Sequence, residues 1–588
     1  MFPYEHIRSS QKELLEAVEK CLAEKKHFLA HAPTGLGKTA AVLSPALKIA
    51  LEKNLTIFFL TDRHTQHRIV LDTAREIKNF NKVSFVCTSV IGKRHMCAQD
   101  GAPEVSFIDY CKHLRENKEC HYYENFLKGS IKLELLKQDA DSKHASEVIA
   151  DAKNAQLCPY EVSIAASVNA TLIVTDYLYL FHDSIRAAFL ARCKKKLENS
   201  VIIVDEAHNL GSRLRDVYSS RLSTRMLRNA VKEAKKHDLD NVISVLVRIQ
   251  DALNSVAKKE ECLIGKSLGF DVNEAISKLA PCAALVKDEQ SHSWVSGVVD
   301  FLEEWSLRDA GFTRIAGIDS FGSYLRLVCL DPGSIAKQVF DSCYSSIVMS
   351  GTLLPTAMFC DVLGLPKNTL TAEFSSPFPR GNQKVIIVPK TTTKYSQRSL
   401  AQYKLIAEYC SDLVSLIPGP CAIFFPSYDI RNNVLQHLSL DGLFIEKQGM
   451  TPDEKKEMLD CLSSSKNGVL LGLSSGSFGE GIDMPGVLKG VIVVGLPLSK
   501  PDLETNELIA LYQQKFAHGW DYGYTLPAII RVLQNAGRCI RSEKDKAVVV
   551  LLDERFAWPS YRACLPKEWD LLISSDYADE IREFFNKQ

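Results

Sequence analysis

The residues whose types and spacing could do chemistry fall into four groups. The first is Ala32-Pro33-Thr34-Gly35-Leu36-Gly37-Lys38-Thr39. It follows the apolar run Phe28-Leu29-Ala30 and opens a helical pattern, the strand–loop–helix context of a phosphate-binding loop. Gly35 and Gly37 let backbone N–H groups curl around phosphate oxygens, and the helix N-terminus adds a favourable dipole. Lys38 would neutralise the β- and γ-phosphates of ATP, Thr39 would place a hydroxyl on Mg2+, and Thr34 and Leu36 complete the loop. Ala32 stands where the general pattern has glycine, which a turn without positive φ tolerates. A glycine-rich turn closing a strand is the plainer alternative, and the strand–helix context argues against it.

The second group is Asp205-Glu206-Ala207-His208, directly after Val201-Ile202-Ile203-Val204. An apolar strand ending in two carboxylates puts both at the C-terminal edge of a parallel sheet, where such folds bind ligands. Asp205 can hold Mg2+ through water, Glu206 can polarise an attacking water, and His208 can couple the pair to a neighbouring element. The third group is Arg538 and Arg541, three residues apart and so expected on one helical face, where such a pair taken alone is more often surface charge. A domain closing over ATP could aim both guanidinium groups at the γ-phosphate. The fourth is Cys97, Cys111, Cys120 and Cys158, which lie between the first two groups. Their spacing matches neither ferredoxin pattern, but four thiols in a segment poor in strands need a metal to close such long loops. Zinc accepts four cysteines, and His95, His113 and His121 widen that option, although close CxxC pairs are absent. Cys87, inside the apolar run Val83 to Val90, reads as a core thiol.

The elements that must position these groups are short apolar runs separated by amphipathic segments, the pattern of an α/β protein. Besides those already named, the runs are Thr56–Leu60, Thr171–Val174, Ile347–Met349, Ala422–Phe425, Val469–Leu471, Val491–Val494 and Ala547–Leu552. Two stretches interrupt the pattern. Residues 85–160 are rich in cysteine and histidine, and residues 212–325 read as mostly helical. In the second, Val242, Leu246, Ile249, Leu253 and Val256 follow Asp240, an expected N-cap. The division expected is a first motor-like α/β domain in three parts (1–84, 161–211 and 326–355), insertions at 85–160 and 212–325, and a second α/β domain at 356–588.

With 588 residues there is room for roughly three to five domains at about 100–200 residues each. Lys+Arg and Asp+Glu number 71 each, so nucleic acid could be held only by a local surface, not by bulk charge. The start, Met1 to Arg8, has no apolar signal region, and no run approaches the about eighteen apolar residues of a membrane span. The expectation is a cytoplasmic, chromosome-associated protein with no membrane partner, whose 17 cysteines are thiols or metal ligands, not disulfides.

Taken together, the motifs resemble the XPD family of superfamily 2 iron–sulfur DNA helicases, of the DEAH-box type, and the similarity extends over nearly the whole chain. Gln534-Asn535-Ala536-Gly537-Arg538-Cys539-Ile540-Arg541 is similar to the motif QxxGRxxR, Gly476 to Asp483 to motif V, Ser350-Gly351-Thr352 to motif III, and Phe424 to Tyr428 to motif IV. Tyr4 and Gln11 resemble a Q-like element that reads adenine. Asp62 stands where relatives carry a basic residue in motif Ia. The residues around Cys97, Cys120 and Cys158 resemble cluster ligands of XPD-like helicases.

The resemblance implies two RecA-like motor domains, with an iron–sulfur insertion and a helical arch in the first. It implies catalytic roles for Lys38, Asp205, Glu206, His208, Gln534, Arg538 and Arg541, with Gly479 and Asp483 also at the ATP/Mg2+ site. It further implies a 4Fe–4S cluster on Cys97, Cys111, Cys120 and Cys158, and 5′-to-3′ movement on single-stranded DNA. Forked or damaged duplexes would be substrates, and repair or transcription factors would be partners of a monomeric, compact archaeal member. Tyr122, Tyr123 and Tyr160, with Lys93 and Arg94, are candidates for contact with single-stranded bases and backbone, with packing as the alternative. A DinG-like helicase, or a DNA-binding redox sensor with a gating ATPase, are the other functions the motifs allow.

Overall fold

The computed structural model describes residues 1–588 apart from 104–105, 130–132, 135, 138–139, 290–292, 482–485, 499–500, 541 and 587–588. In chain order the strands are β1 (Phe28–His31), β2 (Thr56–Thr61), β3 (Cys87–Ser89), β4 (Leu172–Asp176), β5 (Ser200–Val204), β6 (Ser220–Ser223), β7 (Cys262–Leu263), β8 (Phe312–Asp319) and β9 (Gly322–Cys329). They continue as β10 (Ser345–Ser350), β11 (Leu370–Glu373), β12 (Gln383–Ile387), β13 (Cys421–Phe425), β14 (Leu443–Ile445), β15 (Val469–Leu473), β16 (Gly490–Val494), β17 (Ala547–Leu552) and β18 (Leu571–Ile573).

Two seven-stranded sheets result, in the orders β11-β1-β10-β5-β2-β4-β3 and β14-β15-β13-β16-β17-β12-β18. Every described pairing in both is parallel. The long apolar runs become the central strands because they are covered on both faces. In the first sheet Leu29, Phe58, Ile202 and Val348 enter one core, while Phe28, Ile57, Val201 and Ile347 enter another. In the second, Phe424 and Val493 face one core, and Phe425 and Val494 face the other.

The insertions differ in detail from the sequence division. Cys87 is buried in β3 of the first sheet, so that sheet continues past residue 84. Residues 370–373, assigned from sequence to the second domain, form the edge strand β11 beside β1. The helix Leu210–Tyr218 buries Leu210, Leu214 and Tyr218 in the first motor's core. The segment that follows is not only helical. Strands β6 to β9 make a four-stranded antiparallel sheet in the order β6-β9-β8-β7, and β9 runs through residue 325. Helices Thr224–Lys236, Asp240–Val256, Val272–Glu289 and Trp294–Leu307 belong to this unit, with Trp305 fully buried in its core. Asp240 is the first helical residue, not the cap, which is Leu239; Val242, Leu246, Ile249 and Leu253 are buried as their spacing requires, while Val256 is only partly so. No helix among the described residues is long and apolar enough to cross a membrane.

Burial also sets a pH limit on this fold. His67, on the helix His64–Asn81, is fully buried with Nδ1 2.8 Å from Ser89 Oγ of β3. Burial first, and then the neighbouring His64 and His144, push its pKa down from 6.5 to about 3. Between those values the unfolded chain binds a proton that the folded chain refuses, so stability falls as pH drops through this window. Denaturant unfolding of wild type and His67→Gln at about pH 7 and about pH 5 should show the variant losing about 2 kcal/mol less over that interval. Equal losses would mean that His67 titrates normally in the fold.

Candidate active site at the facing motor edges

The phosphate-type loop leaves β1 and enters the helix Lys38–Lys53 through Gly35 (φ 83°) and Gly37 (φ 81°), where a side chain would be strained. A Cβ on Gly35 would lie 2.1 Å from the Phe378 ring, and one on Gly37 would lie 2.3 Å from Gln11 Nε2. The N-terminal segment clasps the loop from outside. Gln11 Nε2 donates to Gly37 O at 3.3 Å, and its Oε1 accepts from the Arg8 backbone N–H at 3.4 Å. Arg8 Nη1 donates to Gly35 O at 3.0 Å, and its Nη2 lies 3.5 Å from Glu543 Oε1 in the second motor. Leu36 is buried in the motor core, so only its backbone can face a nucleotide. Tyr4 does not join Gln11: it is exposed and donates its hydroxyl to Glu76 at 2.5 Å. That bond, with burial, pushes its pKa up to about 12.

The acidic box sits at the C-terminal end of β5. Asp205 is buried, and Glu206 adopts positive φ (48°). Burial, followed by the adjacent Glu206 carboxylate, raises the Asp205 pKa to about 7 against the pull of the Lys38 ammonium. Ser350, at the end of β10, joins the box to the next strand. Its hydroxyl donates to Glu206 Oε2 at 3.0 Å and lies 2.7 Å from His208 Nδ1. Burial lowers the His208 pKa, which favours the neutral ring. Gly351 packs on the loop: a Cβ there would be 3.6 Å from Thr34 N. Tyr177, which no motif marks, donates its buried hydroxyl to Asp205 O at 2.5 Å and Glu206 O at 3.0 Å. Asp62, anomalous in sequence, accepts from Arg213 Nε at 2.9 Å and Asn209 Nδ2 at 3.2 Å, tying the end of β2 to the segment after the box.

On the second motor, the helix Leu526–Ala536 carries Gln534, half-buried, and ends at Gly537. Arg538 therefore lies in the turn after the helix, not on a helical face. It is buried, and its Nε donates to Gly479 O at 3.0 Å. Asp483 and Arg541 fall outside the described residues.

All four cysteines line one small cavity of about 20 Å³, together with Lys93, Arg115, Tyr122, Tyr123, Tyr160, Glu161 and other residues. Cys158 precedes the helix Pro159–Ser167, and burial pushes its thiol up to about 12. Burial also raises the Cys97 pKa. The tyrosines pack instead of standing free for bases: Tyr122 and Tyr160 are buried, and Arg115 lies 3.8 Å from the Tyr123 ring centroid. His113 faces Asn117 and His121 lies against Tyr122, and no three His, Cys, Asp or Glu side chains among the described residues are grouped to hold a metal ion.

Two parallel-sheet motors, with a nucleotide-type loop and carboxylate box on one and a Gln–Arg segment on the other, define a helicase motor. Residues 410–571 match the family described as "Helicase C-terminal domain", and residues 59–227 match DEAD_2. "ATP-dependent DNA helicase XPD" of Sulfolobus acidocaldarius is 26% identical over 578 residues, covering 95% of this chain and 98% of that protein. "General transcription and DNA repair factor IIH helicase subunit XPD" of Dictyostelium discoideum is 22% identical, covering 100% of this chain and 91% of that one. A solved structure named XPD_Helicase superposes with a TM-score of 0.72 at 22% identity, over 97% of this chain and 100% of that chain. The chain is an XPD-like helicase.

The Ser350 bridge generates a prediction. Ser350→Ala should lower kcat for ATP hydrolysis by about 10–100-fold, the usual cost of losing a group that orients a catalytic partner, with ATP affinity nearly unchanged. Steady-state kinetics and nucleotide titration separate the two. An equal loss in affinity would place Ser350 in binding instead.

Proposed function

We propose that the chain is an ATP-dependent DNA helicase that moves 5′-to-3′ on single-stranded DNA and opens forked or damaged duplexes, in repair of the nucleotide-excision kind and as a monomer. The observation that carries this reading is the clasp at the cleft. Arg8 binds the phosphate-type loop at Gly35 O and reaches Glu543 of the second motor, close in sequence to Arg538. A nucleotide on that loop would therefore lie against both motors.

In the reading, Thr34 to Thr39 and Gln11 hold the nucleotide, with Lys38 on its terminal phosphates. Thr39 and Asp205 would hold Mg2+, which supplies positive charge to the phosphates when bound. Glu206, oriented by Ser350, takes a proton from the attacking water. Arg538, with Gln534, Gly479, Arg541 and Asp483, completes the site from the second motor. Hydrolysis weakens the hold of one motor on the other, and alternating grips on a single strand move it stepwise. The names of the Sulfolobus and Dictyostelium relatives support DNA and repair as the setting.

Cys97, Cys111, Cys120 and Cys158 would hold a 4Fe–4S cluster. The four thiols line one cavity without being grouped as ligands, so binding would have to draw them together into a four-thiolate set, and Lys93 and Arg115 would offset its negative charge. A bound cluster supplies the cross-link that joins these loops. Ligation must displace protons from thiols that burial keeps protonated, so cluster loss and acid should act together.

Two measurements test these readings. Duplexes with a 5′ single-stranded tail should be unwound with ATP, those with a 3′ tail should not, and Lys38→Ala should unwind neither. Unwinding from the 3′ tail alone would remove the polarity, and DNA-stimulated hydrolysis without unwinding would favour a gated sensor. Protein purified without oxygen should carry about four iron and four sulfide per chain, reduced in Cys158→Ser. Stoichiometric zinc without sulfide would reject the cluster.

A further inference from the structure

Glu446 follows β14 in the second motor and is buried, with 3% exposure. Its main chain is fixed first: Glu446 N–H donates to Leu471 O at 3.0 Å, and its carbonyl accepts from Arg431 Nη1. The side chain then reaches under the turn that follows β15. Oε2 accepts from Leu473 N–H at 2.9 Å and Oε1 from Ser477 N–H at 2.8 Å, so the carboxylate staples the two ends of the turn together. Among the described residues no lysine or arginine side chain forms a close ion pair with this carboxylate, although the Arg431 guanidinium that binds the Glu446 carbonyl also interacts with it electrostatically. Burying such a group costs free energy unless hydrogen bonds meet it, and here backbone N–H groups do so.

The turn is shaped around the carboxylate. A Cβ on Gly476 would lie 2.5 Å and 2.6 Å from its two oxygens, and one on Gly472 would lie 3.3 Å from Oε2. At Ser477 the chain enters the π-helical turn Ser477–Gly481. The carbonyl of Gly479 in that turn accepts from Arg538 Nε at 3.0 Å, and Asn535 Nδ2 donates to Ser474 O at 3.4 Å. A Cβ on Gly479 would meet Leu473 O at 2.5 Å and Ser474 O at 2.8 Å, so the turn has no slack through which Gly479 could shift alone. A continuous chain of contacts thus runs from Glu446 through Ser477 and Gly479 to the Arg538 guanidinium.

We propose that Glu446 is a positioning residue for Arg538: by stapling Leu473 to Ser477 it sets the Gly479 carbonyl, and that carbonyl sets the guanidinium. The proposal rests on the reading of Arg538 as part of the ATP site. Glu446 itself lies buried beneath the turn and acts through Ser477 and Gly479. In Glu446→Gln one N–H acceptor becomes a donor facing a donor, and the turn must open on one side.

The test is ATP hydrolysis by the full chain carrying Glu446→Gln, Arg538→Ala, both, or Gly476→Ala. Gly476→Ala keeps the carboxylate but drives a methyl against it, so it carries the test should Glu446→Gln fail to fold. Expected are kcat losses of about 100-fold in each of the three single variants, with the KM for ATP within about twofold. In the Arg538→Ala background, adding Glu446→Gln should cost less than about twofold more, because both act through one group. Losses that multiply in the double variant, a change in KM alone, or full kcat in Gly476→Ala would overturn the proposal. Wild-type kcat in Arg538→Ala together with a loss in Glu446→Gln would instead reject the reading of Arg538, and the positioning role with it.

Discussion

The sheet order of the first motor is the constraint on which the site depends. A parallel sheet covered on both faces leaves only its strand ends for chemistry. In this sheet β10 lies between β1 and β5, with Phe28 in register with Ile347 and Ser345 with Val201. The loop after β1, the hydroxyl ending β10 and the carboxylates after β5 are therefore neighbours, although long stretches of sequence separate them. Ala32 N–H donates to Ser350 O at 2.9 Å, so the same residue that holds Glu206 and His208 by its side chain holds the start of the loop by its main chain. The insertion between β5 and β10 is tolerated because its strands form a separate sheet and none enters between these two.

What the sequence made legible follows from burial. Central strands such as β2, β5, β13 and β17 are buried along their whole length and stand out as continuous apolar runs. The edge strand β11, Leu-Thr-Ala-Glu, alternates half-buried and exposed residues, and β14 and β18 are only partly covered. Nothing in the composition of β11 separates it from loop, so residues 370–373 read as part of the second domain, while β14 and β18 are apolar but only three residues long. The loop and the carboxylate box were legible because phosphate and metal chemistry restrict residue type at fixed local spacing. Tyr177, Arg8 and Glu446 were not. Each acts by binding main-chain atoms distant in sequence, and any residue type can present a carbonyl or N–H. Arg538 was legible in type but not in conformation, since Gly537 ends the helix one residue before it.

Two of the buried carboxylates, Asp205 and Glu446, show how one fold can use the same group for opposite purposes. Asp205 accepts one backbone hydrogen bond at 3.0 Å, from the N–H of Glu206, whose own carboxylate opposes its ionisation. Burial and that neighbour raise its pKa to about 7, with Lys38 as the counterweight. Glu446 instead has a backbone N–H on each oxygen and packs under a turn with no room for a Cβ at Gly476. Its hydrogen bonds are spent on shape. The first arrangement suits a group whose charge must change when ligand arrives. The second suits a group that must not move while the motor around it does. A motor that closes on nucleotide needs both, because a responsive centre can do directed work only against a partner surface that keeps its geometry.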